Sequence, residues 1–173
     1  YEMLALAYGA ASCYTIEYNP LDHHHPLLLT ATPDQYWSLP APHRPRFQVA
    51  LSISSLEHDG LGRYGDPINP DGDLVAIRQL EDVVLPHGLL VLAVPVASDA
   101  LVWNCHRIYG RRRLTKLLRR WTVERVEGLT AEMLDVTLLT PTQPVFLLRN
   151  TRPSAPTNFT DPADPIWAML PAG

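Results

Sequence analysis

Residues 47–74, FQVALSISSLEHDGLGRYGDPINPDGDL, join an apolar run to a segment rich in glycine and polar side chains. The run 47–53 predicts a buried strand, so the polar groups that follow it emerge at its carboxyl end. In open α/β sheets, ligands bind at that end of the strands. The stretch therefore places candidate chemistry at one edge of a predicted sheet.

Predicted strands and helices alternate along the rest of the chain. Apolar runs rich in β-branched and aromatic residues predict strands at 12–18, 27–32, 47–53, 88–94, 121–126 and 144–148. Helical patterns occur at 1–8, 73–84 and 111–120, with shorter ones at 34–37 and 129–135. The alternation predicts an α/β, Rossmann-like, mostly parallel sheet with helices on both faces.

Length and composition predict one domain. The chain has 173 residues, of which 46% are hydrophobic, enough for one sizeable core. We place an α/β domain at residues 1–150 and a proline-rich tail with little structure of its own at residues 151–173. The two cysteines lie far apart in sequence, so neither a disulfide framework nor a zinc site is expected.

Charge and hydropathy limit the classes of partner. A net charge of −4 offers no general attraction to nucleic acid or to an anionic membrane, and we expect neither. The basic run 111–120 has helical spacing and predicts a solvated helix face, with anion binding as the alternative. No apolar run approaches the roughly 20 residues that span a bilayer. The sequence leaves the oligomeric state open.

Four sequence blocks carry a resemblance to a known family. They are SSLEHDGLGRYGDPINPDGDL (54–74), LPHGLLVLAVPV (85–96), WNCHRIYG (103–110) and RLTKLLRRW (113–121). Together they resemble the family of unknown function numbered 268, first named from nematode proteins, over about residues 1–149. That family is similar, more remotely, to class I S-adenosylmethionine-dependent methyltransferases. The resemblance implies S-adenosylmethionine as cofactor and methyl transfer to a small-molecule or glycan acceptor.

The resemblance also bears on the start of the chain. In class I methyltransferases, a first strand and a glycine-rich turn precede the first helix, whereas this chain begins at Tyr1 within a predicted helix. We therefore expect a fragment that lacks the first strand and the glycine-rich turn, with the cofactor pocket open on one side. The sequence does not decide the cellular compartment. The default expectation is the cytoplasm, and the alternative is the secretory pathway if an N-terminal segment is missing.

Two other functions stand beside methyl transfer. A non-catalytic binding or structural module derived from the methyltransferase fold is the main alternative. A hydrolase that uses Glu57, His58 and Asp66 ranks last, because the sequence has no nucleophile elbow and no metal quartet.

The cofactor-binding candidates follow the second and third predicted elements. Glu17 ends a predicted strand, where nucleotide-binding α/β folds place an acid that accepts ribose hydroxyls; the alternative is an ordinary exposed carboxylate. Tyr18 and Asn19 could flank the adenine, although Asn19 before Pro20 also suits a turn. Thr32 could form another wall of the same pocket.

The catalytic candidates lie in the segment after the strand 47–53. His58 could accept a proton from the methyl acceptor, and the adjacent Glu57 could orient or charge it; alternatively, both brace the loop. Tyr64 and Asp66 present further polar groups from the same loop. Methyl transfer is a direct displacement, so alignment matters as much as base catalysis.

The substrate-binding candidates are His106, Arg107 and Tyr109, which follow the next predicted strand. Arg107 suits an anionic group on the acceptor, and a buried salt bridge to an acid of the glycine-rich loop is the alternative. No metal site is predicted. The loop resembles a calcium site in composition, but counting twelve positions from Asp66 places Ile77 where a glutamate is required.

Overall fold

The computed structural model describes residues 1–137 and 141–151. The chain divides into two compact units, Tyr1–Pro45 and Arg46–Gly173. The single domain predicted for residues 1–150 stays a prediction. Apart from residue 151, the predicted tail 151–173 lies outside the described residues. No helix within the described ranges is both long and apolar enough to cross a bilayer.

The first unit contains two helices, two strands and a short 3-10 turn. They are α1 (Glu2–Ala7), β1 (Cys13–Ile16), β2 (Leu28–Ala31), α2 (Pro33–Ser38) and the 3-10 turn Ala41–His43. Strands β1 and β2 are parallel, with Cys13 opposite Leu28 and Ile16 opposite Ala31. Thr32 and Gln35 form a reciprocal capping box that begins α2. The carboxyl ends of β1 and β2 therefore lie side by side.

The second unit contains the remaining elements. They are β3 (Phe47–Ile53), a 3-10 turn (Leu56–His58), α3 (Gly72–Val83), β4 (Val84–Ala93), β5 (Ala100–Val102), β6 (His106–Ile108), α4 (Arg111–Leu118), β7 (Thr122–Glu127), a 3-10 turn (Glu132–Leu134) and β8 (Val145–Arg149). Each predicted strand and helix is present, and most bounds agree within a few residues. The strands β5 and β6 form a short antiparallel hairpin that the strand pattern of the sequence does not include.

The sheets confirm the α/β class and correct one detail. Strands β3, β4, β8 and β7 form a four-stranded sheet in that order. Its β3–β4 pair is parallel, while β4–β8 and β7–β8 are antiparallel. The larger sheet is therefore mixed rather than mostly parallel. Helical patterns between predicted strands suggested parallel crossovers, but β8 returns beside β4 in the opposite direction.

The core of the second unit covers one face of this sheet. Leu90 and Leu92 of β4 are fully buried, in one cluster with Ile77 of α3 and Leu114 of α4. On the opposite face, Val49 and Leu51 of β3 are 49% and 50% exposed. The helices α3 and α4 thus pack against one face of the sheet.

Strand β4 begins earlier than the sequence suggests. The turn residues Pro86–His87–Gly88 predict a strand that starts at Gly88, whereas β4 starts at Val84. Between the pairs Phe47–Val84 and Val49–Leu89, β3 advances two residues while β4 advances five. The predicted turn is present as a bulge within the strand, where His87 has a φ of 64°.

Candidate functional site

The cofactor-binding candidates of the first unit meet at one cavity. Glu17 and Thr32, which follow β1 and β2, line a cavity of about 180 Å³ together with Asn19. The Glu17 carboxylate also accepts the backbone N–H of Tyr18 at 2.8 Å, which fixes the carboxylate at the strand end. The parallel register explains this meeting, because residues after neighbouring parallel strands lie at the same edge.

Thr32 and Tyr18 differ in how they relate to the cavity. The Thr32 hydroxyl accepts the Gln35 N–H and so caps α2, while the residue itself lines the cavity. Tyr18 is not among the residues that line the cavity, and its ring is partly exposed. Glu17 and Asn19 thus supply the polar wall, and Thr32 mainly positions the helix beside it.

His58 lies at the end of the 3-10 turn after β3, and its side chain is 19% exposed. Its Nδ1 contacts the backbone carbonyl of Cys105. Because a carbonyl can only accept, Nδ1 carries the hydrogen and Nε2 of the neutral ring is an acceptor. The β5–β6 hairpin therefore sets His58 in the tautomer that a general base requires.

Glu57 is the acid next to this ring. Its side chain is 1% exposed, and Oε1 lies 3.7 Å from His58 Nε2. Oε1 also accepts the Ser54 hydroxyl at 2.9 Å, whereas Oε2 is buried with no hydrogen-bond partner among the described residues. Glu57 therefore places one carboxyl oxygen beside the His58 ring and leaves the other without a partner in the described part of the chain.

Two further rings surround His58. The Tyr64 ring meets it edge-on at 5.6 Å between centroids, and the His106 ring does so at 6.4 Å. Nδ1 of His106 lies 3.1 Å from the Cys105 thiol sulfur. The structure thus brings together one predicted substrate-binding residue and three of the four predicted catalytic residues.

Asp66, the fourth catalytic candidate, holds the loop together. Its carboxylate accepts the backbone N–H groups of Gly60 at 2.7 Å, Gly62 at 3.2 Å and Tyr64 at 3.2 Å. Burial by itself raises the pKa of Asp66, but these three N–H donors outweigh it and lower that pKa. The carboxylate is committed to the backbone, so the structure gives Asp66 a bracing role.

Arg107 makes contacts of the kind given as the alternative to substrate binding. The buried guanidinium donates to the backbone carbonyls of Glu57, Asp59, Asn69 and Pro70. Its Nε lies 3.6 Å from a carboxylate oxygen of Asp73. These five contacts match the five N–H groups of a guanidinium, so an acceptor anion would have to compete with them. Arg107 fastens the loop to β6.

Tyr109 is also structural. It is fully buried, and its hydroxyl donates to Asp73 at 3.1 Å. Burial, followed by the nearby Asp73 carboxylate, raises the pKa of Tyr109, so the phenol stays protonated. Asp73 lies in the first turn of α3 and accepts from Arg113 as well.

Sequence reasoning missed two contributors to the His58 site. One is the Cys105 carbonyl, a backbone group that no residue type identifies. The other is Ser54, which directly follows β3, donates to Glu57 and accepts from Gln143 at 3.1 Å. Its position at a strand's carboxyl end was the available signal. No three metal-ligating side chains come together in the described part of the chain.

The comparisons place the chain in a family. The sequence pattern described as Caenorhabditis protein of unknown function, DUF268, matches residues 1–137. The chain belongs to this family. The match includes both the cavity residues of the first unit and the His58 loop of the DUF268 chain. No curated protein matches the sequence of this chain.

Solved structures similar to the DUF268 chain include methyltransferases. The 1,6-didemethyltoxoflavin-N1-methyltransferase of Burkholderia thailandensis, solved with S-adenosylhomocysteine, is 16% identical at a TM-score of 0.48; the match covers 86% of this chain and 55% of that one. The N-methyltransferase NodS of Bradyrhizobium japonicum is 13% identical at a TM-score of 0.46, over 72% and 61% of the two chains. The DUF268 chain thus spans 55% and 61% of the length of these relatives.

Proposed function

We propose that the protein is an S-adenosylmethionine-dependent methyltransferase that acts on a small or carbohydrate-like acceptor. The observation that carries this proposal is the cavity at the carboxyl ends of β1 and β2, which Glu17, Asn19 and Thr32 line. A carboxylate at such a strand end accepts the ribose hydroxyls of a bound nucleotide in α/β folds. The DUF268 match covers these cavity residues, and the resemblance of the sequence to class I methyltransferases suggests S-adenosylmethionine as the ligand.

The residues of the cavity fit the ribose part of the cofactor. Glu17 is an anionic acceptor suited to two hydroxyl donors, and Pro20, Leu21 and Ala31 provide apolar walls. The volume of about 180 Å³ is below the roughly 300–1,000 Å³ of sites that enclose a whole drug-sized ligand. The cavity therefore suits a sugar ring rather than the entire cofactor.

His58 is the proposed general base. S-adenosylmethionine, when bound, supplies an electrophilic methyl group on a sulfonium sulfur. The Nε2 lone pair of His58 takes the proton of the acceptor hydroxyl or amine, because Nδ1–H is held by the Cys105 carbonyl. Glu57 then faces an imidazolium at 3.7 Å and stabilises its charge. Tyr64 and His106 border this position as acceptor contacts.

Calorimetric titration of the full-length protein with S-adenosylmethionine and S-adenosylhomocysteine tests the cofactor assignment. We expect micromolar binding, weakened at least about tenfold by Glu17→Gln, which is a loss of about 1.4 kcal/mol. Asp22→Asn is the matched control, because Asp22 is an exposed acid outside the cavity lining. No heat with either ligand would overturn the assignment and favour the non-catalytic binding module.

Transfer of a tritiated methyl group to a panel of mono- and oligosaccharides tests the base. We expect His58→Ala to reduce turnover about 100-fold or more while sparing cofactor affinity, since general base catalysis contributes about 10²–10⁴-fold. His24→Ala, which changes an exposed histidine of the first unit, serves as control. Equal losses of turnover and cofactor affinity in His58→Ala would make His58 structural.

A further inference from the structure

A groove separate from the Glu17 cavity runs beside the glycine-rich loop. It has a volume of about 370 Å³, and we call it the Trp103 groove. Its lining includes Leu61, Ile68 and Pro70 of the loop and Leu101, Trp103 and Ile108 of the β5–β6 hairpin. All six side chains are apolar or largely so. The groove therefore offers hydrocarbon and aromatic surface from both segments.

The charged side chains at the groove are already engaged with protein groups. Arg107 donates to loop carbonyls, as described above, and Arg113 pairs with Asp71 at 2.9 Å and with Asp73. Asp99 accepts the backbone N–H groups of Gly110, Arg112 and Arg113 at 2.8, 3.0 and 3.0 Å. A charged ligand would have to compete with these bonds, so the groove favours an uncharged one.

Three apolar side chains that line the Trp103 groove are largely exposed to solvent. Trp103 is 65% exposed, Leu101 54% and Ile68 68%. Removing apolar surface from water is favourable, so a ligand that covers all three side chains gains affinity. An indole face prefers an offset-stacked or edge-on aromatic ring, so an aromatic ligand suits Trp103.

We propose that the Trp103 groove binds a small, uncharged, planar ring that packs against the exposed side chains of Trp103, Leu101 and Ile68. The volume of about 370 Å³ lies at the lower end of the roughly 300–1,000 Å³ of small-molecule sites, so the groove suits a small molecule. The proposal goes beyond methyl transfer, because it requires no cofactor and rests on residues outside the Glu17 cavity.

Titration of 2-naphthol into the full-length protein without S-adenosylmethionine tests the proposal, with calorimetry and ligand-detected NMR as readouts. We expect saturable binding that Trp103→Ala weakens at least about tenfold. Leu101→Gln is a second variant, and Tyr8→Ala is the matched control, since Tyr8 is an exposed aromatic residue of the first unit. Both groove side chains are exposed, so the unfolding midpoints of the variants should match that of the original protein.

Four outcomes would overturn the proposal. They are absence of 2-naphthol binding, unchanged affinity in Trp103→Ala, an equal loss in Tyr8→Ala, and equal affinity for the anion 2-naphthoate. Trp103-dependent binding to phosphatidylcholine vesicles, or Trp103-dependent dimerisation in sedimentation equilibrium, would assign the surface to a membrane or to a second copy and would also contradict it. Because no cofactor is present, failure here is distinguishable from failure of the proposed methyl transfer.

Discussion

Asp66 shows how one side chain organises a loop. Its carboxylate accepts three backbone N–H groups, and bonds to a charged acceptor contribute about 1.5–3 kcal/mol, compared with about 0.5–1.5 for neutral ones. We therefore expect Asp66→Asn to lower the free energy of unfolding at pH 7 by about 1–2 kcal/mol. Urea unfolding followed by tryptophan fluorescence measures this change, and Asp22→Asn should leave the value unaltered.

The same substitution predicts a dependence on pH. The pKa of Asp66 is lower in the folded protein than the ordinary value of about 3.9. Its stabilising effect is therefore complete above about pH 4 and is lost as the pH falls through the lower folded pKa. The difference in free energy of unfolding between the original protein and Asp66→Asn should become smaller in that acidic range. A difference that stays constant down to pH 2 would contradict this account.

Gly60 and Gly65 look alike in the sequence but differ in their surroundings. Both have positive φ, 78° and 87°. A Cβ at Gly60 would lie 2.2 Å from the Asn69 carbonyl oxygen, whereas a Cβ at Gly65 meets nothing within 4 Å. We expect Gly65→Ala to cost about 1–2 kcal/mol through its backbone conformation alone, and Gly60→Ala clearly more. Urea unfolding of the two variants measures the difference in free energy of unfolding. Equal losses in the two variants would show that the loop backbone shifts to accommodate a Cβ at Gly60.

These residues mark the limit of prediction from sequence at this scale. Residue type identified His58, Glu57 and Tyr64 as polar groups at a strand end, and the structure brings them together. It did not separate them from Asp66 or Arg107, because the partners of these two are backbone N–H and carbonyl groups. Every residue carries such groups, so sequence alone cannot say which ones a side chain reaches.

At the scale of elements, Asp73 joins α3 to α4 and β6. It is fully buried and bonds to Arg113 and Tyr109, with Arg107 Nε at 3.6 Å. The helical pattern predicts both α3 and α4, since apolar residues recur on one face of each. It does not predict the buried charges between them, because pairing across about 40 residues depends on how the helices pack.

Removing the Asp73 carboxylate should therefore uncouple these elements. Asp73→Ala leaves Arg107 and Arg113 without their shared partner, and breaking a buried pair in this way costs about 3–5 kcal/mol. Asp135→Ala is the matched control, because Asp135 forms an exposed pair with Arg111. Thermal and urea unfolding should show a much smaller change for the control. Comparable losses in the two variants would mean that the Asp73 network adds little.

At the scale of the whole molecule, the two units differ in how much they bury. Within residues 1–45, Tyr36 is the buried side chain, and β1 and β2 are four residues each. In the second unit, Val84, Leu90 and Leu92 of β4 are all fully buried. A two-stranded sheet has marginal stability by itself. Alternation of strands and helices predicts the elements of both units without showing this difference, because burial depends on which faces meet.

The difference predicts unequal local stability. Segments with few buried apolar contacts open at lower free energy, so amides of β1 and β2 should exchange with deuterium much faster than those of β4. Hydrogen exchange measured by mass spectrometry on peptides that cover 13–32 and 84–93 tests this expectation. Equal protection of the two regions would contradict it.

Ligand binding connects this prediction to the Glu17 cavity. A ligand that binds only the closed form stabilises it by RT ln(1 + [L]/Kd), about 2.7 kcal/mol at 100 times Kd. Excess S-adenosylhomocysteine should therefore slow exchange at 13–32 by up to about 100-fold, and the Glu17→Gln variant should lose that protection. A bound ligand slows hydrogen exchange most in the segment whose opening it prevents. If exchange slows only in peptides that lack the cavity residues, with 13–32 unchanged, the ligand binds elsewhere.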